Sequence, residues 1–237
     1  MIPDWLEPVR AGAGTITADE LSRYVPPPGS SPRQGAVLLL IGEGDHGPDL
    51  LLTERAHHMR SHPGQVSFPG GSVDPTDADA VAAALREAEE ETGLDPSGVE
   101  VFGQLPQLWL PPSNFAVTTV LGWWREQSPV SAVDPDEVAS VLRVPIDHLL
   151  DPANRVTTVH PRGRFGPGFL LGDDLVLWGF TAGIVSRLFD HVGWTRPWDD
   201  DVQFEIPDWM IFGRNGDVAD FPEMPAPNTN FQEGPSR

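Results

Sequence analysis

The chain has 237 residues, and its 15 basic residues, all of them arginine, stand against 35 acidic residues, for a formal net charge of −20. This balance argues against nucleic acid or an anionic membrane surface as the main partner, because both are bound through clustered cations. The lack of cysteine and lysine excludes disulfides, thiolate or Schiff-base nucleophiles and a P-loop lysine. At this length we expect one large domain or one domain with extensions.

No targeting or membrane segment is predicted. Residues 1–7 lack the basic start and the apolar stretch of a signal peptide. The longest aliphatic run, residues 36–41, falls far short of the ~20 residues that a membrane helix needs. We therefore expect a cytoplasmic protein with no membrane partner.

Composition divides the chain into three parts. Residues 1–33 form an N-terminal extension that ends in a Pro-rich linker, and Thr17 or Asp19 can cap a short helix within it. Residues 34–212 carry the α/β pattern of a folded domain. Residues 213–237 are rich in Pro, Asn, Asp and Gly and show no periodicity, which predicts a disordered tail.

The folded domain shows a mixed α/β pattern with two main helices. Runs of apolar and β-branched residues predict strands at residues 36–41, 50–53, 99–105, 116–124 and 138–144. The first two strands are separated by a turn rich in Gly and Asp, so we expect them to pair as a hairpin. One helix is predicted at residues 78–92 and a second at residues 177–190. Thr76 or Asp77 can cap the first helix, and Gly93 ends it.

The first helix ends in a cluster of glutamates. At about 100° per residue, Glu87, Glu90 and Glu91 share one face of the helix. Carboxylates on one helix face repel one another unless a cation neutralises them, and Mg²⁺ takes few carboxylates together with substrate phosphates. A solvated acidic face would give the same pattern, so the cluster alone leaves a metal site and a surface feature equally open.

A glycine turn before this helix favours the metal site. In Phe68-Pro69-Gly70-Gly71 the backbone can approach a ligand closely, because glycine has no Cβ. The turn and the helix together resemble the signature of the Nudix hydrolases, Gly-x5-Glu-x7-Arg-Glu-U-x-Glu-Glu-x-Gly-U, in which U is aliphatic. The matching residues are Gly71, Arg86, Glu87, Glu90, Glu91, Gly93 and Leu94.

Two departures from this signature point to one branch of the family. Asp77 stands where glutamate is expected, and eight residues instead of seven separate it from Arg86. Both departures are common in the coenzyme A pyrophosphatase branch. The additional motif of that branch is similar to residues 51–56, Arg60, Gly64 and residues 68–71. Thr119 differs from the branch, in which proline is usual at that position.

The resemblance implies an α/β/α sandwich of the Nudix type, with a mixed sheet and with the signature as a loop–helix–loop. It also implies Mg²⁺ or Mn²⁺ as the cofactor. The implied metal ligands are Glu87, Glu91, Glu90 and the Gly70 carbonyl. Glu90 would alternatively serve as a catalytic base through water. Arg86, the other implied catalytic residue of the signature, would pair with a carboxylate such as Asp77 and hold the loop against the helix.

Residues outside the signature complete the expected site. Glu137 is a candidate auxiliary base or metal ligand, and a surface glutamate before a strand would explain it equally well. Arg55 and Arg60 are expected to bind the substrate, because arginine binds phosphate in bidentate geometry. A structural ion pair is the alternative for both. Phe68 and Gly71 of the glycine turn are the remaining expected substrate-binding residues.

Three histidines near the glycine turn, His57, His58 and His62, suggest a zinc site at first sight. They lack the i, i+4 spacing of a helical zinc motif, and neither a cysteine nor a carboxylate at fixed spacing accompanies them. We interpret them as loop residues or phosphate contacts.

The resemblance implies hydrolysis of the pyrophosphate bond of coenzyme A or acyl-CoA, giving 3′,5′-ADP and (acyl-)4′-phosphopantetheine. Two alternatives stay open. The substrate could be another nucleoside diphosphate conjugate, such as ADP-ribose or a dinucleotide, or the chain could be a non-catalytic module that senses a nucleotide. The intact carboxylates of the signature favour an enzyme. The expected partner is a CoA-like small molecule, and a homodimer is the commonest form if the chain assembles.

Overall fold

The computed structural model describes residues 1–24, 26–59, 63–111, 113–160, 163–172 and 175–212. The strands are β1 (Arg33–Gly44), β2 (Gly47–Arg55), β3 (Val66–Ser67), β4 (Gly70–Ser72), β5 (Val99–Gln104), β6 (Leu108–Leu110), β7 (Phe115–Trp124), β8 (Val138–Pro145), β9 (Arg155–His160), β10 (Gly163–Gly172), β11 (Leu175–Leu177) and β12 (Gln203–Glu205). The α-helices are α1 (Glu7–Ala13), α2 (Ala18–Leu21), α3 (Ala80–Thr92), α4 (Ile146–Leu150), α5 (Gly179–His191) and α6 (Asp208–Phe212). Short 3₁₀ helices lie at Asp4–Leu6, Pro96–Gly98 and Pro152–Asn154.

The main sheet is mixed. β1 pairs antiparallel with β2, with Leu40 opposite Leu51, and parallel with β7, with Leu38 opposite Val120. β8 pairs antiparallel with β2, while β5 and β6 pair antiparallel with β7. The predicted hairpin is confirmed as β1–β2, and the other predicted strands are present as β5, β7 and β8.

The sheet splits where the glycine turn enters it. The end of β2 pairs with β3, with Glu54 opposite Val66, whereas the start of β1 pairs with β4, with Val37 opposite Gly70. A Cβ on Gly70 would lie 2.4 Å from the carbonyl oxygen of Ala36. Only glycine permits so close an approach, and the turn is therefore held directly against β1.

Helices cover both faces of the main sheet. One face carries α3, and the buried residues of this layer include Ala83, Ala84, Ala88, Leu38, Leu40, Leu51, Val120 and Trp124. The opposite face carries α5, and its layer includes Leu39, Ile41, Leu50, Leu52, Ile184, Val185 and Leu188. Successive residues of a strand point to opposite faces, so β1 and β2 contribute to both layers. The predicted α/β/α sandwich with a mixed sheet is confirmed.

A second sheet lies beyond the predicted elements. Its strands follow the order β11-β10-β9-β12, and Trp178, Ile206 and Met210 form part of a separate apolar cluster with it. None of these four strands was predicted from the sequence. Proline and glycine are disfavoured in strands, and β10 contains Pro167 between two glycines, which obscures its pattern.

The N-terminal segment packs into the protein core. Leu6 and Val9 are fully buried in the apolar cluster that includes α5. The sequence prediction missed α1, which is short and has few apolar residues. The predicted cap of α2 is confirmed, because Thr17 forms a capping box with Glu20.

The cap of α3 differs from the prediction. The helix begins at Ala80 and is capped by Asp79, whose carboxylate accepts the N–H of Ala82 at 2.9 Å. The predicted caps, Thr76 and Asp77, are wrong. Asp77 is not available for capping, because an arginine side chain binds its carboxylate.

The remaining sequence predictions concern the helix ends and the tail. Gly93 ends α3 as predicted, with the left-handed φ of 70° that favours glycine. The second predicted helix is confirmed as α5. The predicted tail, residues 213–237, lies outside the described residues. Within the described ranges, no helix has the length and apolar character that a membrane crossing requires.

Candidate active site

The candidate site lies where the glycine turn meets α3. The Oε2 atom of Glu91 accepts the N–H of Gly70 at 3.1 Å, and the carboxyl group of Glu87 lies against Gly71. The i, i+4 spacing of the two glutamates places them on the same side of the helix. The structure thus brings Glu87 and Glu91 to the glycine turn at Gly70 and Gly71.

Glu91 is a buried carboxyl group. It is 7% exposed, and in the described part of the chain no cationic side chain forms an ion pair with it. Burial raises the pKa of Glu91 to about 8, and the charges of Glu137 and Glu87 add to this effect. The hydrogen bond from Gly70 and the charge of Arg55 oppose it. Because a buried, unpaired carboxylate is costly, a cation at this position would stabilise the protein.

Glu87 is held against the backbone of the glycine turn. A Cβ on Gly71 would lie 2.6 Å from Cδ of Glu87, so a larger residue at position 71 would displace this carboxyl group. Burial raises the pKa of Glu87, while the neighbouring Arg86 guanidinium lowers it. Gly71 therefore permits the close position of the Glu87 carboxylate as well as the turn.

Arg86 joins the loop before α3 to the helix. Its Nε and Nη2 atoms donate to the two carboxylate oxygens of Asp77 at 3.0 Å each, and Nη2 also donates to the Ser72 carbonyl at 3.1 Å. These bonds hold the pKa of Asp77 below its usual value. The predicted pairing of Arg86 with Asp77 is therefore present.

Glu90 differs from the other two glutamates of the cluster. Its Oε2 atom accepts a hydrogen bond from Nη1 of Arg86 at 2.9 Å, and its side chain is 59% exposed. The same Nη1 atom lies 3.1 Å from Oε1 of Glu87. Glu90, which was predicted as a ligand or base, is thus in a surface ion pair, while Glu87 and Glu91 lie against the turn.

Glu137 approaches the site from the segment before β8. Its backbone carbonyl accepts the N–H of Ala56 at 2.9 Å, and its side chain is exposed. Its charge raises the pKa of both Glu87 and Glu91. Glu137 is therefore within electrostatic range of the two carboxyl groups that it was expected to accompany.

The predicted substrate-binding residues have different surroundings. Arg55 donates through Nη2 to Sδ of Met59 at 3.2 Å, a weak acceptor, and its buried Nε has no hydrogen-bond partner in the described part of the chain. Within the described residues it forms no ion pair, and its charge acts on Glu91. Phe68 is 2% exposed and packs in the α5 layer, so its side chain faces the core. Arg60 lies outside the described residues.

The donor atoms of the site suit a hard divalent cation. Among the described residues, no three His, Asp or Glu side chains are already grouped to hold a metal ion, and Arg86 binds Glu90 and also approaches Glu87. The atoms at the centre are carboxylate and backbone oxygens, which Mg²⁺ and Mn²⁺ prefer. The buried carboxyl group of Glu91 is the feature that a bound cation would satisfy. The residues therefore fit the implied metal.

Comparison with known proteins identifies the family. The NUDIX domain profile matches residues 32–162. The chain belongs to the Nudix hydrolase family. It is 42% identical over 167 residues to the uncharacterized Nudix hydrolase NudL of Escherichia coli (strain K12). The aligned region covers 68% of this chain and 83% of that protein. The NudL protein of Enterobacter sp. (strain 638) matches with the same identity and coverage.

Several solved Nudix structures are also similar. RenU, a Nudix hydrolase from M. smegmatis, has a TM-score of 0.45 and 21% identity, over 68% of this chain and 86% of that one. A NUDIX hydrolase from Nitrosomonas europaea has a TM-score of 0.46 and 13% identity, over 75% of this chain and 81% of that one. The NUDIX domain of Shewanella oneidensis NrtR, complexed with ADP ribose, has a TM-score of 0.40 and 20% identity, over 52% of this chain and 79% of that one.

We refer to residues 71–94, which resemble the signature of this family, as the Nudix box. Two backbone contacts around the box were not expected from the sequence: the N–H of Gly70 binds Glu91, and the carbonyl of Ser72 binds Arg86. Gly70 was predicted to act through its carbonyl. Backbone contacts leave no signal in residue type, apart from the glycines that make a close approach possible.

Proposed function

We propose that this Nudix hydrolase cleaves the pyrophosphate bond of coenzyme A or acyl-CoA, giving 3′,5′-ADP and (acyl-)4′-phosphopantetheine, with Mg²⁺ or Mn²⁺ as its cofactor. The observation that carries the proposal is a complementary pair of groups at one place. Within the described residues, neither the buried carboxyl group of Glu91 nor the guanidinium of Arg55 has an ion-pair partner. A cation bound to a diphosphate would satisfy both groups.

Arg55 supports an anionic substrate. A chain of net charge −20 repels anions at long range, so a local cation at the site is needed to hold one. Among the residues that the structure describes, the guanidinium is bound only to a thioether and its buried Nε lacks an acceptor, which leaves a desolvation cost unmet. Phosphate oxygens would supply the charge-assisted hydrogen bonds that arginine forms best.

The choice of coenzyme A among pyrophosphates rests on the motif of residues 51–56 and the glycine turn, which resembles the coenzyme A pyrophosphatase branch. In the structure this motif contributes Arg55 at the end of β2 and the turn that binds Glu91. The bidentate contact between Arg86 and Asp77 accommodates the extra residue of the box. Arg55 and the glycine turn of this motif thus lie near Glu91.

The proposal assigns separate tasks to the residues of the Nudix box. Glu87, Glu91 and the Gly70 carbonyl would hold the cation, with Glu90 as a further ligand once it leaves Arg86. When bound, the metal neutralises phosphate oxygens and lowers the pKa of water. Arg86 keeps the loop against α3 and so maintains the spacing between the turn and the carboxylates.

Glu137 is the general base in this proposal. Its side chain is exposed, and its charge acts on both Glu87 and Glu91. A carboxylate at the mouth of the site can accept a proton from water during attack on the diphosphate. Glu90 is the alternative base, and its ion pair with Arg86 makes it the less available of the two.

Product analysis tests the proposed substrate. Coenzyme A, ADP-ribose and diadenosine polyphosphates are incubated separately with the protein and Mg²⁺ or Mn²⁺, and the products are resolved by chromatography with mass detection. We expect 3′,5′-ADP from coenzyme A, formed faster than any product of the other two. Cleavage of ADP-ribose alone would retain the hydrolase and overturn coenzyme A as its substrate. Nucleotide binding without any cleavage would favour a sensing module.

Arg55→Gln tests the observation that carries the proposal. Because Arg55 would contact the diphosphate directly, we expect the KM for coenzyme A to rise about tenfold, with a smaller change in kcat. The matched control is Arg125→Gln, which makes the same change in a half-exposed arginine that pairs with Glu126 at 3.1 Å. An unchanged KM in Arg55→Gln would contradict the assigned contact.

A further inference from the structure

A second buried carboxylate, Glu54, lies close to the site but outside the Nudix box. Its side chain is 11% exposed. Both oxygens are hydrogen-bonded: Oε1 lies 2.8 Å from Nε2 of His57, and Oε2 accepts the hydroxyl of Ser140 at 2.7 Å. A buried polar group with all its partners present holds its surroundings rigidly. The proposed chemistry uses none of these three residues.

Glu54 and Arg55 point to opposite faces of the sheet. Strand residues alternate, and on β2 Leu51 belongs to the α3 layer and Leu52 to the α5 layer. Glu54 therefore follows Leu52 toward the α5 side. Arg55 lies on the α3 side, where its charge acts on Glu91. Because the two residues are consecutive, a shift of Glu54 would also reorient Arg55.

The contact between Glu54 and Ser140 lies beside an irregularity in strand pairing. Glu54 is opposite Ser140, but the next residue, Arg55, is opposite Val138. One residue of β8 is thus left without a partner, which is the pattern of a β-bulge. Bulges bend the chain and re-aim the residues beside them, and they are frequent next to active sites.

This bulge sets the position of Glu137. Immediately beyond it, the N–H of Ala56 donates to the Glu137 carbonyl at 2.9 Å. The charge of Glu137 acts on Glu87 and Glu91. The point at which β8 separates from β2 therefore governs how closely the Glu137 side chain approaches the Nudix box.

His57, the second hydrogen-bond partner of Glu54, packs against the backbone of the neighbouring loop. A Cβ on Gly64 would lie 2.9 Å from Nδ1 of His57, so the ring packs directly on the Gly64 backbone. The ring is also 6.3 Å from that of Trp209 in α6, measured between centroids. The N–H of Gly64 donates to the Arg55 carbonyl at 3.1 Å. His57 thus secures the base of the loop that returns to Arg55.

We infer that Glu54 is a positioning residue, which through its two hydrogen bonds sets the places of Arg55 and Glu137 beside the Nudix box. The bond to Ser140 secures the bulge that leads to Glu137, and the bond to His57 secures the loop base at Arg55. The effect on turnover rests on the proposed function. The effect on the geometry of the site does not, because it can be measured without substrate.

Ser140→Ala removes one of the two hydrogen bonds and leaves the carboxylate in place. Its matched control is Ser97→Ala, which removes a hydroxyl that donates to the carboxylate of Asp95 at 2.7 Å in a surface turn. Amide hydrogen exchange at Ala56 reports on the bond beyond the bulge, and calorimetric titration with Mn²⁺ reports on the site.

In Ser140→Ala we expect exchange at Ala56 to be about tenfold faster and the Kd for Mn²⁺ to rise about threefold. Ser140→Thr, which retains the hydroxyl, restores both values, and Ser97→Ala leaves both unchanged. His57→Gln is the second variant, and its control is His46→Gln, which changes an exposed histidine in the turn between β1 and β2. In His57→Gln we also expect faster exchange at Ala56 and a higher Kd for Mn²⁺.

Unchanged exchange at Ala56 together with unchanged Mn²⁺ affinity in Ser140→Ala and His57→Gln would overturn the inference, even if the melting temperature fell. That result would identify a purely structural role. Failure of the proposed function is distinguishable, because it would appear as absent turnover in the unmodified protein while the exchange comparison still decides the role of Glu54. With turnover established, a lower kcat in Ser140→Ala that Ser140→Thr restores supports the inference.

Discussion

Glu90 and Glu91 are neighbours in the sequence and have opposite surroundings in the structure. The side chain of Glu90 is 59% exposed and lies 2.9 Å from Nη1 of Arg86. Glu91 is 7% exposed and accepts one backbone hydrogen bond, from Gly70. Within the described residues, the carboxyl group of Glu90 is therefore exposed to solvent and paired with a cation. The carboxyl group of Glu91 is buried and has no cationic partner there.

This difference separates a replaceable surface contact, at Glu90, from a costly buried carboxyl group, at Glu91. An exposed ion pair contributes at most about 1 kcal/mol, so Glu90 can leave Arg86 at little cost. A buried carboxyl group without a cation destabilises the folded protein, and such groups are concentrated at functional sites. Glu91 is therefore the residue on which we expect metal binding and activity to depend most.

Glu91→Gln should have the largest effect of the substitutions considered. We expect kcat/KM to fall at least about a hundredfold in Glu91→Gln and about tenfold in Glu90→Gln, as measured by steady-state kinetics. The melting temperature of metal-free Glu91→Gln should be equal to or above that of the unmodified protein, because a neutral amide is less costly to bury. Equal losses of activity in both variants would remove the distinction between the two glutamates.

The pH dependence of stability sharpens the comparison. The pKa of Glu91 rises from 4.5 to about 8 on burial, so between these values the folded state keeps a proton that the unfolded state has lost. The unfolding free energy of the metal-free protein therefore decreases as pH rises through this window, by up to about 1.4 kcal/mol per pH unit from this group.

Urea unfolding with a chelator, at about pH 5 and about pH 8, measures this dependence. We expect Glu91→Gln to lose less stability between the two pH values than the unmodified protein does. Glu90→Gln should behave like the unmodified protein. The same pH dependence in all three proteins would show that Glu91 is not the buried acid that the structure indicates.

Arg86→Gln tests the structural side of the comparison. It removes the bidentate contact with Asp77 and the bond to the Ser72 carbonyl, so we expect the melting temperature to fall by about 3 °C. Asp77→Asn should lower it similarly. The double variant should lose no more than Arg86→Gln alone, because the two residues share one interaction. Additive losses would contradict this coupling.

Gly71→Ala should have the smallest effect on stability, because the three atoms nearest to the added Cβ all belong to the carboxyl end of the Glu87 side chain, with Cδ at 2.6 Å. We expect the affinity for Mn²⁺ to weaken about threefold as this carboxylate is displaced. Gly183→Ala in α5 is the control, since a Cβ there meets no atom within 4 Å. Unchanged Mn²⁺ affinity in Gly71→Ala would show that this contact does not place Glu87.

The sequence was sufficient for the elements whose pattern is local and long. The hairpin β1–β2, strand β7 and helices α3 and α5 each have a clear apolar period. The second sheet was missed because β10 contains proline and glycine, β11 and β12 have three residues each, and the sheet joins distant segments, such as Thr157 opposite Gln203. β10, β11 and β12 are therefore stabilised by tertiary pairing and not by a strong local pattern. β9 is different, because it contains four consecutive β-branched residues, a strand pattern that the sequence prediction overlooked.

The candidate site was likewise predictable from the sequence only in part. The Nudix box could be predicted because its residues lie in one turn and one helix, so that spacing alone places the carboxylates on one face. Spacing could not show that Arg86 binds Glu90 and that no described cationic side chain pairs with Glu91. Nor could it show that Glu54 binds Ser140, which is 86 residues away. Both contacts depend on how the folded elements pack.

Calorimetric titration of the metal-free protein with Mn²⁺ tests most directly whether Glu91 is the centre of the metal site. The unmodified protein, Glu91→Gln and Glu90→Gln are compared under the same conditions. We predict saturable binding by the unmodified protein, a Kd at least about a hundredfold higher in Glu91→Gln, and a Kd at most about tenfold higher in Glu90→Gln. Binding of Mn²⁺ by Glu91→Gln as tight as by the unmodified protein would contradict the assignment.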